Sequence, residues 1–183
     1  VKETEGLRKG TTDVNDFTLT DEHLVSPLVT GTEGACELEM DVTPNKAQTV
    51  GFQLLNDKGE KVDIYLDLKS GRIVMDRSQS GLTAFGEKSE PHFKETDDHR
   101  KVLSVNYVND FALGTWAPLS LCEGKTYHLD VFVDKCSVEI FVDGGRIAMT
   151  NLVFPTQPYN ALRFYTQGGE AEVKNLKVHQ LGL

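Results

Sequence analysis

Residues 128–150 read HLDVFVDKCSVEIFVDGGRIAMT, and this stretch narrows most what the chain can fold into. Leu129, Val131 and Val133 alternate with Asp130, Phe132 and Asp134; after Lys135, the series Cys136, Val138, Ile140, Val142 alternates with Ser137, Glu139, Phe141 and Asp143. A two-residue period sends one set to a core and the other to the opposite face, which is strand geometry. A turn at Asp134 and Lys135 joins the runs, and Asp143-Gly144-Gly145 closes the second, where glycine supplies the positive φ of a hairpin turn. The stretch reads as a β-meander with its third strand at 146–150 and with Cys136 packed inward as a small hydrophobe.

The same period recurs on either side. In CELEMDV (36–42), Cys36, Leu38, Met40 and Val42 point one way and Glu37, Glu39 and Asp41 the other, before Pro44-Asn45 ends the strand. Val50, Phe52 and Leu54 lead into the turn Asn56-Asp57-Lys58-Gly59, and Val62, Ile64, Leu66 and Leu68 lead out of it, a hairpin pattern. RIVMDR (72–77), ALRFYT (161–166) and AEVKNLKV (171–178) read as further strands, and Pro118 confines the short strand at Trp116 to a sheet edge or strand end. Residues 82–99 carry weak periodicity and read as a surface loop.

About a dozen short strands at a spacing of about 8 to 12 residues, with no convincing helix of three turns, define an all-β chain, an antiparallel sandwich or barrel. Acidic residues alternating with the inward set fit sheets with one face on the core and one in water. Residues 1–13 are charged and without an apolar stripe; they read as a joining segment, leaving 14–183 as one module. The opening residue, Val1, suits an excised or processed fragment.

With 19 Lys and Arg against 28 Asp and Glu the net charge is -9, which argues against nucleic acid or an anionic membrane as partner. No apolar run nears the roughly 20 residues of a membrane span. Three cysteines without a CxxC spacing signal neither a zinc site nor a disulfide framework. No Asn-x-Ser/Thr sequon occurs, as suits a bacterial source.

Retaining glycosidases need two carboxyl groups about 5 Å apart. Glu139 and Asp143 lie four residues apart on a strand, roughly 13 Å by strand rise, and Glu37 and Glu39 about 7 Å, on what reads as a solvated face. His92, Asp97, Asp98 and His99 form the one His and carboxylate cluster in the sequence, in a Lys- and Glu-rich loop without ligand spacing. No G-x-S-x-G elbow is present, and Gly144-Gly145 and Gly168-Gly169 lack the context of a phosphate loop. No catalytic residue, cofactor or metal site is therefore expected. Trp116, Tyr107, Phe111, Tyr159 and Tyr165 can stack on sugar rings; for Trp116 a place in the core or at an inter-module contact is the favoured reading, because a lone Trp is usually largely buried.

FVDKCSVEIFVDGG (132–145), followed by Met149-Thr150 and Val153-Phe154-Pro155, resembles the C-terminal module of glycoside hydrolase family 32, the invertases, levanases and inulinases. DRSQSG (76–81), Ala117-Pro118-Leu119, Gly168-Gly169-Glu170-Ala171 and EGLRKG (5–10) match further motifs of that family in its order. The resemblance implies a lectin-like β-sandwich of two roughly six-stranded antiparallel sheets. It also implies that the catalytic carboxylates belong to an N-terminal five-bladed propeller, since no Asn-Asp-Pro or Arg-Asp-Pro occurs here. Two departures stand out: the stretch between Gly81 and Trp116 is long for the family, and Trp116 replaces a basic residue before Ala-Pro-Leu.

The expectation is a non-catalytic module of a bacterial fructan or sucrose hydrolase, extracellular, periplasmic or on the cell surface. Its expected partners are the propeller of the same polypeptide, a fructan oligosaccharide and a second copy of the chain. The alternative is an independent carbohydrate-binding module. Trp116, Tyr159 and Tyr165 are the candidate carbohydrate or interdomain contacts.

Overall fold

A computed structural model describes residues 2–85, 92–95, 97–99, 101–104 and 111–182. A 3-10 turn at Lys2–Leu7 leads into β1 (Arg8–Asp13), β2 (Phe17–Leu19) and β3 (Glu22–Val25). After a second 3-10 turn come β4 (Cys36–Pro44), β5 (Thr49–Leu55), β6 (Lys61–Asp67) and β7 (Arg72–Gln79). A separate hairpin, β8 (His92–Glu95) and β9 (Lys101–Ser104), precedes β10 (Gly114–Pro118). The chain then forms β11 (Tyr127–Val133), β12 (Ser137–Val142), β13 (Ile147–Leu152), β14 (Ala161–Gln167) and β15 (Ala171–Leu181).

Two antiparallel sheets result. One has seven strands in the order β1-β15-β4-β11-β12-β13, with β2 also on β15; the other has six, β10-β7-β6-β5-β14-β3. Strands β1 and β2 share one position: β1 pairs with 177–181 of β15 and β2 with 171–173. The first sheet is thus six positions wide, and its seventh strand is a break in the edge. The segment read as a joining stretch, 1–13, is itself drawn into the sheet by β1.

Alternation decides the core. Leu38, Met40, Val131, Val138, Ile140 and Val142 from the first sheet meet Phe52, Leu54, Ile64, Leu66, Met75 and Phe164 from the second, all buried. Burial of this order supplies the main favourable term in folding, about 25 cal/mol per Å2 of apolar surface. Tyr127 is also buried, its hydroxyl donating to the Ser120 carbonyl at 3.0 Å and accepting from the Cys122 N–H at 2.8 Å. At the β12–β13 turn Asp143, Gly144 and Gly145 all take positive φ, which glycine adopts without strain.

Two readings need correction. Cys136 is exposed, because the Asp134 N–H donates to the Ser137 carbonyl at 2.9 Å, leaving Lys135 and Cys136 at the tip of the turn; alternation restarts only at Ser137. Trp116 is not in the core: it is 53% exposed on β10, the edge strand that Pro118 foretold, where it pairs with Val74 on the outer face. The root of the long 82–114 stretch is held by Phe85, Phe111 and Phe154, with Arg77 lying 4.0 Å over Phe111 and donating from Nε to its carbonyl.

Candidate functional site

The outer face of the seven-stranded sheet is not the solvated face its acids suggest. Register across β15, β4, β11 and β12 aligns His179 with Glu37, Phe132 and Glu139, and Lys177 with Glu39, Asp130 and Phe141. Arg8, delivered by β1, closes over this row: its Nε and Nη2 donate to Glu37, each at 2.6 Å, and Nη2 also donates to Glu39 at 2.8 Å. Glu37 has 0% exposure as a result, so its reading as a solvated acid is overturned. Charge-assisted bonds of this forked kind are what allow a carboxylate to be buried at all.

His179 is equally enclosed. Its Nε2 donates to the Glu39 carboxylate at 2.9 Å, and its Nδ1 lies 2.8 Å from Thr11 Oγ1. Desolvation pushes the Glu39 pKa upward, but the hydrogen bonds from His179 and Arg8 outweigh it and hold the carboxyl below its ordinary value. Asp130 goes the other way. Burial, followed by the charge of Glu37, lifts its carboxyl to about 6, and its Oδ1 is buried with no hydrogen-bond partner.

Beside this ionic row opens a groove of about 450 Å3. Phe132 and Phe141 meet edge to face on its floor, 5.9 Å apart, and Leu7, Ala35 and Leu181 line it, with Glu139 at its margin.

The outer face of the six-stranded sheet carries a different row: Trp116, Val74, Tyr65, Gly51 and Tyr165 stand in register across β10, β7, β6, β5 and β14. Arg72 stacks on Trp116 at 3.8 Å. The Tyr165 hydroxyl donates to Asp63 at 2.8 Å, and Gln53 donates to the other Asp63 oxygen at 3.1 Å. Burial first, and then the charge of Asp63, pushes the Tyr165 hydroxyl well above the usual phenol range. Tyr159 belongs to neither face: it is 2% exposed and donates to the Ser80 carbonyl at 2.7 Å.

The structure does not bring the candidate acids into a catalytic pair. Glu139 faces the groove, whereas Asp143 sits in the turn and accepts the His128 N–H at 3.1 Å. Among the described residues no group of three or more His, Cys, Asp or Glu is placed to hold a metal. Tyr107 lies outside the described residues. Arg8 lies within EGLRKG and Phe132 and Phe141 within FVDKCSVEIFVDGG, motifs that carry the family resemblance without assigning these three residues a role; the further signal was one arginine in an early segment facing several outward acids.

A family model described as "Glycosyl hydrolases family 32 C terminal" matches residues 3–180. A levanase of Bacillus subtilis (strain 168) is 28% identical over 185 residues, covering 99% of this chain and 24% of its own length. A levanase of Bacillus sp. (strain L7) is 29% identical over 153 residues, covering 82% of this chain and 14% of its own. The chain thus spans a quarter or less of these curated relatives. Among solved structures, a fructosyltransferase from Aspergillus japonicus superposes with a TM-score of 0.72 at 19% identity, covering 100% of this chain and 28% of that one. Fructan 1-exohydrolase IIa from Cichorium intybus gives 0.65 at 11% identity, over 99% and 37%. At these identities the structural likeness speaks for the fold.

Proposed function

The chain belongs to the family of glycosyl hydrolase family 32 C-terminal modules, and from that premise we propose that it is the non-catalytic β-sandwich of a bacterial enzyme that hydrolyses β-fructosidic bonds in fructans or sucrose. Its role is to support a preceding catalytic domain by packing against it, with residues 1–13 as the joining segment. The observation that carries the reading is the family match over 3–180 together with the state of the acids. Glu37 and Glu39 are committed to Arg8 and His179, and Glu139 and Asp143 do not converge. Levanases among the relatives support a fructan as the substrate of the whole enzyme, and an extracellular exo-inulinase of Aspergillus niger, 31% identical over 84 residues, supports action outside the cell. No helix among the described residues is long and apolar enough to cross a membrane. The test is to incubate the purified chain with levan, inulin or sucrose: no fructose is released on this reading, and release of fructose overturns it.

The row on the six-stranded sheet favours a second reading, a saccharide contact. Trp116 and Tyr165 sit near carboxylate and guanidinium groups that can bond sugar hydroxyls. Retention on a levan or inulin affinity gel that Trp116→Ala weakens supports it; absence of retention by the unaltered chain rules it out for those ligands.

A further inference from the structure

We propose that the outer face of the six-stranded sheet binds a neutral oligosaccharide laid across its strands, with one sugar ring stacked on Tyr165 and hydroxyls donating to Asp63 and Asp76. The proposal rests on the reading of this face as a saccharide contact and adds to it the class of ligand, its direction and the residue that anchors it.

Tyr165 is held as a platform. It stands on β14, while the Asp63 carboxylate that its hydroxyl meets at 2.8 Å belongs to β6, two strands away. Neighbouring strands lie about 4.8 Å apart, so the side chain has to cross the width of β5 along the surface of the sheet. It crosses beside Gly51, its partner on β5, which has no side chain to stand in the way and which is buried although it lies on an outer face. A phenol pinned at its far end and laid along a sheet turns one ring face outward, the surface on which the C–H face of a sugar ring packs.

The carboxylates beside it have acceptor capacity left over. Asp63 and Asp76 stand directly opposite each other on β6 and β7, a like-charge pairing that costs stability in a sheet. The bonds they accept come from neutral groups: Tyr165 and Gln53 donate to Asp63, and the Ser78 N–H donates to Asp76 at 2.8 Å. A carboxylate offers about four lone-pair sites, so both can take further donors, and hydroxyls supply them without adding a charge. Arg72, stacked on Trp116, and Arg163, paired with Gln53, set guanidinium donors among these acceptors. Such a mixture suits hydroxyl groups, which both donate and accept, better than it suits an anion or a cation.

The row also sets a direction. From the exposed Trp116 on β10 to Tyr165 on β14 it crosses four strand spacings, about 19 Å. A single sugar covers one of these platforms, whereas an oligomer reaches both.

The test is titration calorimetry of the chain with fructose and with levan- and inulin-derived oligosaccharides of increasing length, with polygalacturonate and polylysine as charged probes. Affinity is expected to rise from fructose to the oligomers and to be the same at low and high salt. Tyr165→Ala, Tyr165→Phe and Asp76→Asn are each expected to lower it by about two- to tenfold, the range of one stacking or hydrogen-bonding contact, in samples whose circular dichroism matches that of the unaltered chain. Tyr165→Phe keeps the ring and releases its pin, so its loss reads the positioning by Asp63. Binding of no oligosaccharide overturns both this proposal and the saccharide reading beneath it. Binding that Trp116→Ala weakens, while Tyr165→Phe and Asp76→Asn leave it unchanged, overturns the proposal and leaves that reading standing. Equal affinity for fructose and the oligomers overturns the placement across the strands, and a salt-dependent preference for either charged polymer overturns the neutral class of ligand.

Discussion

Arg8 and Glu37, 29 residues apart in sequence, are joined by two parallel hydrogen bonds of 2.6 Å each, with the Glu37 side chain wholly withdrawn from solvent. Removing one member of such a pair leaves the other charge buried and unmatched. Arg8→Ala is expected to destabilise the chain by about 3 kcal/mol in urea unfolding, while Arg8→Met with Glu37→Met recovers much of the loss, since a matched apolar replacement strands no charge. Equal destabilisation by the single and the double variant would show that β1 acts through its strand pairing alone.

Asp130 gives the chain a pH dependence opposite in sign to that of Glu39. The Asp130 carboxyl rises from an ordinary value of 3.8 to about 6 because of burial and the nearby Glu37 charge. Its stabilising contribution is therefore complete below the ordinary value and is lost as pH rises through the raised one. Glu39, held low despite desolvation, contributes above the ordinary carboxylate range and loses that contribution as pH falls. Asp130→Asn is expected to gain on the order of 1 kcal/mol over the unaltered chain near neutral pH, the half-buried site discounting the full shift. The gain should vanish at acid pH, below the ordinary carboxylate range; urea midpoints across the interval check it, and a pH-independent difference contradicts it.

The cysteines separate cleanly. Cys36 is buried, and burial pushes its thiol up to about 12, whereas Cys122 and Cys136 are exposed. Two of the three thiols should react with iodoacetamide in the folded chain, and the third only on unfolding. Protection of Cys136 in the native state would restore the inward placement that alternation suggests.

That contrast shows what was legible in the sequence. Alternation placed Leu129, Val131, Val133, Val138, Ile140 and Val142 in the core, and the structure has every one of them buried. It failed at Cys136 because that residue, although in phase with Val138 and Ile140, lies in the turn closed by the Asp134 to Ser137 hydrogen bond, ahead of the strand that begins at Ser137. It assigned Glu37 to the outer face correctly, but periodicity gives only the face and not what covers it. The cover is Arg8, from a segment with no apolar stripe, brought in by pairing with the last strand of the chain. The core half of the reading of Trp116 failed because it rested on a burial habit general to tryptophan, although the edge position of its strand was already written in Pro118.

Gly51 lies where a side chain has no room. A Cβ there would stand 2.5 Å from the Ile64 carbonyl oxygen and 2.5 Å from the Tyr65 Cβ. Gly51→Ala should cost about 1–3 kcal/mol by forcing β5 and β6 apart, which urea unfolding reports. A neutral substitution would mean that the row from Trp116 to Tyr165 is looser than its register implies.

The central claim is that the module supports a catalytic domain without sharing its chemistry. Ile140 is fully buried between the sheets and lines neither outer face, so Ile140→Ala weakens the module alone, by about 2–5 kcal/mol. The deciding measurement is the temperature at which the full-length polypeptide bearing Ile140→Ala loses fructose release from levan or sucrose. The account predicts that this temperature falls together with the unfolding of the module. Loss of activity at an unchanged temperature, with the module already unfolded below it, would contradict the account.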